Sequence, residues 1–117
     1  MSLQKQVEEM RGLGLRHRCY ESGKGATLTV KLGNGECWVL PWGRFLRAHL
    51  QGDRLELVFA EYRVEIRGRN LGKLVDWEIA NLELGSIREL PAEYAAVAEP
   101  QEPFISEIRV QPREESS

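Results

Sequence analysis

The run RLELVFAEYRVEIR, residues 54 to 67, constrains this chain more than any other stretch of it. Leu55, Leu57 and Phe59 fall in one phase, and Tyr62, Val64 and Ile66 fall in the opposite phase. Strand side chains alternate with period two, so a single straight strand cannot bury both sets. Either Ala60-Glu61 is a two-residue hairpin loop, which sets Phe59 beside Tyr62, or a bulge bends one strand there. The hairpin is the preferred reading, although Ala-Glu is poor chemistry for so tight a turn.

The same alternation marks a second hairpin in ATLTVKLGNGECWVL, residues 26 to 40, where Leu28, Val30 and Leu32 alternate with Thr27, Thr29 and Lys31. Asn34-Gly35 is the preferred pair for a two-residue type I′ turn, which sets Leu32 opposite Cys37 and Val30 opposite Val39. Pro41 cannot donate a ladder hydrogen bond, so the second strand ends or bulges near it. In RFLRAHL, residues 44 to 50, Leu46, Ala48 and Leu50 share one face and Arg47 and His49 the other. Gln51-Gly52-Asp53 reads as a turn.

After Gly68 the period changes. Leu71, Leu74, Val75, Ile79 and Leu82 lie on a helical stripe, with Asn70 as N-cap and Gly85 as terminator, which predicts a helix over about 71–84. SIREL, 86 to 90, reads as a return strand. FISEIRV, 104 to 110, reads as an edge strand added to this subunit or to a neighbour. The expected fold is therefore α+β and mainly antiparallel β, a small strongly bent sheet or partly open barrel with one principal helix. Its parts are an N-terminal segment over 1–25, with a short helix at 4–11, a β-rich core over 26–91, and an acidic proline-bounded arm over 92–117.

At 117 residues the chain fits one domain, since domains most often hold about 100 to 150. With 42% hydrophobic and 29% charged residues it has the composition of a soluble globular protein. No apolar run approaches the roughly 18 residues that span a bilayer, and the N-terminus lacks the pattern of a secretory signal. A cytoplasmic location follows by default, without membrane association. Two cysteines, Cys19 and Cys37, fit a reducing compartment and leave a single disulfide open. Residues 11–91 carry 13 Lys or Arg against 10 Asp or Glu, while the two ends carry 3 basic and 8 acidic residues. A mildly basic core with acidic ends is compatible with a local anion site and falls short of the basic stripe of a nucleic-acid binder.

Two stretches carry a family resemblance. "TVKLGNG" at 29–35 resembles the start of the first motif of the Sm-like proteins (the LSm and Hfq group), and "IRGRNL" at 66–71 resembles their second. The resemblance implies a small bent β-barrel that assembles into rings and binds RNA. It further implies that Arg67 stacks on a base or neutralises phosphate, that Gly68 lets the backbone approach the ligand, and that Asn70 holds the turn, with Arg69 beside them.

No catalytic motif is present. There is no G-x-S-x-G, no activated cysteine context, and Asp76 and Glu78 are two residues apart on the expected helix, so they do not face one another. GKGAT at 23–27 lacks the spacing of a phosphate loop. His17, Cys19, Cys37 and His49 match no zinc spacing, so no metal and no cofactor is expected. Trp38, placed on the hairpin face opposite Cys37, and Trp42 are candidates for a subunit or partner contact, while packing on a second sheet explains Trp38 as well. The expectation is a non-enzymatic oligomerisation or interaction module, a homo-oligomer with a protein partner. The alternative is an Sm-like RNA or nucleotide binder using Arg67, Gly68, Arg69 and Asn70.

Overall fold

The computed structural model describes residues 19–96 and 100–113. The opposite phases of the 54–67 run resolve as a hairpin. Strands β5 (Arg54–Phe59) and β6 (Tyr62–Arg69) pair antiparallel with Leu57 opposite Val64 and Leu55 opposite Ile66, and all four are buried. Ala60-Glu61 is the connecting loop. It tolerates its composition because it is tied down from outside: Ala60 N–H donates to the Arg44 carbonyl, and Glu61 accepts a hydrogen bond from the Arg44 guanidinium.

Strand β4 (Phe45–Gln51) pairs with β5, and β8 (Phe104–Pro112) pairs with β6, completing a four-stranded sheet in the order β4-β5-β6-β8. The expected edge strand at 104–110 thus lies within this chain. The other sheet holds β1 (Tyr20–Ser22), β7 (Leu84–Arg88), β2 (Thr27–Lys31) and β3 (Cys37–Pro41), in the order β1-β7-β2-β3. Among the described strands only β2 and β7 pair in parallel. The fold is mainly β, in two sheets whose inner faces share one core, rather than one bent barrel beside a principal helix.

One register differs from expectation. The β2–β3 hairpin pairs Val30 with Trp38 and Lys31 with Cys37, one residue away from the type I′ alignment. The loop is three residues long: Leu32 N–H donates to Glu36 O, Gly35 N–H donates to Leu32 O, and Gly35 takes φ 93° at the third position, the arrangement of a three-residue loop with a glycine bulge. Asn34 Oδ1 accepts from Glu36 N–H and steadies the turn. The slip moves Trp38 to the core side with Val30 and turns Cys37 out to solvent.

The helical stripe is also shorter than expected. Only Leu74–Ile79 is helical in a wide form, with Ala80 N–H reaching Val75 O and Glu83 N–H reaching Glu78 O, five residues back in each case. Leu82 takes φ 53° and ends it, and Leu84 already belongs to β7. Asn70 is not an N-cap: its φ is 55°, and its side-chain amide donates to Pro100 O at 2.5 Å and Glu102 O at 3.2 Å. Gly85 is not a helix terminator but the extra residue where β7 slips against β1, Ser22 facing Leu84 and Glu21 facing Ser86. The short helix at 4–11 lies outside the described residues.

Trp42 marks the corner where the chain leaves one sheet for the other. It stacks edge-on against Phe45 and lies tilted over Phe59, at centroid distances of 5.1 and 5.6 Å, and its indole N–H donates to Leu84 O. Glu89 makes a second junction. One carboxylate oxygen accepts from Gly33 N–H at 3.0 Å and the other from Ile108 N–H at 2.7 Å, so one side chain bridges the β2–β3 loop and the outer edge of β8. Leu90 N–H adds a bond to Ile105 O, which covers that edge further.

Candidate functional site

In the β4-β5-β6-β8 sheet the inward positions are apolar, so period-two alternation sends the intervening residues outward together. These are Arg47, His49 and Gln51 from β4, Arg54, Glu56 and the buried Val58 from β5, Arg63, Glu65 and Arg67 from β6, and Glu107, Arg109 and Gln111 from β8. One face thus presents five arginines and three glutamates, with the arginines exposed.

The charges interleave. Arg63 reaches Glu56 at 3.5 Å, and Arg109 reaches Glu107 at 2.8 Å. Arg54 and Arg67 stand directly opposite one another in the register, a like-charge arrangement that is unfavourable by itself. Both lean on the same carboxylate, Glu65, each at 3.4 Å. Glu107, the register partner of Arg67 on β8, turns to Arg109 instead. Among the described residues no carboxylate lies within ion-pair distance of Arg47.

The sheet ends in a cleft of about 310 Å³ where β6 meets β8. Ala92, Ala95 and Phe104 supply its apolar lining, and Arg67, Arg69, Ser106 and Asp53 its polar lining. Gly68 permits the close approach that forms it: a Cβ there would sit 1.8 Å from the Phe104 carbonyl oxygen. The β8 register skips Ser106 at this point, and its hydroxyl donates to Arg67 O.

The expected RNA-binding quartet is therefore divided. Arg67 lies on the open face, and Gly68 is fixed by backbone packing. Arg69 turns under the arm, where Nη2 donates to Ala95 O at 2.9 Å and the guanidinium lies 5.4 Å from the Phe104 ring. Its Nε is cut off from solvent without a hydrogen-bond partner. Asn70 is occupied by the arm carbonyls of Pro100 and Glu102.

The expected interface pair is divided as well. Trp42 is only 6% exposed and belongs to the core, and Trp38 is half-buried against Tyr62 at 5.1 Å. Core packing on the second sheet, the other reading of Trp38, accounts for its position.

The cysteines are unpaired, Cys19 buried and Cys37 exposed. Burial pushes the Cys19 thiol up to about 11, and its Sγ donates to Pro103 O. His49 sits apart from both on the outer sheet face, and His17 lies outside the described residues. Among the described residues no group of three or more His, Cys, Asp or Glu side chains could hold a metal ion, and no helix is long and apolar enough to cross a membrane.

Arg54, Arg63 and Arg109 were not singled out by the sequence reading, although their signal is present in it. Each alternates with buried apolar neighbours, so the pattern that fixes the core also fixes which charges share a face. Fold and site together define a two-sheet, mainly β protein bearing an arginine-rich sheet face. Comparison with protein-family models, curated proteins and solved structures finds no match to this chain.

Proposed function

We propose that this chain is a non-enzymatic interaction module of the cytoplasm, and that the outer face of β4-β5-β6-β8 docks a carboxylate-rich protein surface. The observation that carries the reading is the gathering of Arg47, Arg54, Arg63, Arg67 and Arg109 on one flat face with fewer carboxylates than guanidiniums. Arginine suits this task because its planar fork meets carboxylates with two hydrogen bonds.

A protein partner is favoured over RNA on two counts. The interleaved glutamates repel a uniform phosphate chain but match a partner of mixed charge. The face offers no tryptophan, tyrosine or phenylalanine for bases to stack on, while Arg69 and Asn70 are engaged with the arm.

The test is fluorescence anisotropy with labelled poly-L-glutamate and, separately, uridine-rich RNA. Wild type is expected to bind the polyglutamate, with affinity falling as salt rises. The double reversal Arg47→Glu/Arg63→Glu is expected to weaken it at least about tenfold. Unchanged affinity in that variant would remove the face from consideration, and tighter binding of RNA than of polyglutamate would transfer the reading to nucleic acid.

A further inference from the structure

The arginine face and the cleft at its end are adjacent, and their chemistry differs in a way that identifies a ligand. Arg54 and Arg67 face each other across β5 and β6 with a single carboxylate between them. Two guanidiniums share one ion-pair partner, Glu65, at 3.4 Å each, which leaves guanidinium N–H groups for a second carboxylate. Arg67 also lines the cleft, whose Ala92, Ala95 and Phe104 lining gives an apolar side chain somewhere to go.

We infer that the Arg54/Arg67 corner and the neighbouring cleft form one anchor site for an extended protein segment in which a carboxylate stands next to a bulky apolar residue. The carboxylate sits between the two arginines, and the apolar side chain enters the cleft. Arg69 also lines the cleft, with Nη2 donating to Ala95 O and Nε closed off from solvent. Asp53, which lines the same cleft, disfavours a second carboxylate inside it, and Arg67 and Arg69, which line it too, disfavour a cation, so the residue entering is uncharged.

A segment is favoured over a small free acid because the anion corner is continuous with the arginine face. A ligand that uses both must extend across strands spaced about 4.8 Å apart. This inference rests on the reading of the face as a dock for acidic protein, and it adds where the partner is anchored and by which residue.

The experiment uses the full chain and two labelled peptides, one with phenylalanine between two glutamates and one with serine in its place, both flanked by glycines. Wild type is expected to bind the phenylalanine peptide at least about tenfold more tightly than the serine peptide. Filling the cleft with Ala92→Trp, at an exposed position, is expected to erase that preference. Arg67→Gln is expected to weaken both peptides.

Equal binding of the two peptides by wild type overturns the anchor site. If that binding still fails in Arg47→Glu/Arg63→Glu, the face survives without its cleft. Conversely, a phenylalanine preference that Ala92→Trp abolishes and the double reversal leaves intact supports the anchor while removing the wider face.

Discussion

Gly68 shows how a residue that resembles a binding element can be fixed by packing alone. Its Cβ would lie 1.8 Å from Phe104 O and 2.8 Å from Phe104 C, both backbone atoms of β8 that cannot move without breaking the strand pairing. Gly68→Ala is expected to destabilise the fold by about 3 kcal/mol or more. Gly43, with nothing within 4 Å of its added Cβ, provides the control, and Gly43→Ala should change stability by under about 0.5 kcal/mol. Thermal unfolding of the two variants side by side checks both values, and a mild effect at Gly68 would mean that β8 yields there. The sequence reading assigned this glycine to ligand approach. The neighbour that actually demands it, Phe104, lies 36 residues along the chain, beyond the reach of any local pattern.

At the scale of elements, three bulges account for most of what the periodicity misplaced. Leu46 is the extra residue between Phe45 and Arg47 on β4, Gly85 is the extra residue on β7, and Ser106 is the extra residue on β8. In each strand the inward side chains change spacing from two to three, giving Phe45 and Ala48, Leu84 and Ile87, Ile105 and Ile108. A spacing of three also links Ile79 to Leu82, which continues the helical stripe past the end of the helix at Ile79. The residue that stops the helix is Leu82, an exposed leucine at φ 53°. A left-handed conformation costs a side chain with a Cβ roughly 1–2 kcal/mol. Leu82→Gly should therefore stabilise the fold by up to about 1 kcal/mol after the added freedom of the unfolded chain is deducted. Urea unfolding should show a higher midpoint at unchanged slope, and a lower midpoint would mean that the leucine side chain contributes packing that outweighs its strain.

At the scale of the whole molecule, Trp42 through the core and Glu89 from the rim are among the side chains that join the sheets. Glu89 satisfies one N–H from the β2–β3 loop and one from the β8 edge. Removing it leaves the Ile108 amide partly buried without an acceptor. Glu89→Ala is expected to cost about 1–3 kcal/mol, and Glu89→Gln less because one oxygen remains. Equilibrium denaturation resolves the two, and hydrogen exchange at Ile108 should accelerate in both. An unprotected Ile108 amide in wild type would show that the bridge does not form in solution.

Alternation of apolar and polar residues determined the mainly β character, the β5–β6 hairpin at Ala60-Glu61, the return strand near 86–90 and the β8 edge strand, because burying one sheet face is a local, period-two requirement. Which of two turn geometries Asn34-Gly35 adopts depends on whether Trp38 or Cys37 gains more from the core, and that core is assembled from the other sheet. The same holds for the site. Strand alternation determined that arginines would point away from the core, but only strand order and register placed Arg54 against Arg67, brought both to Glu65, and set them beside the cleft closed by Phe104.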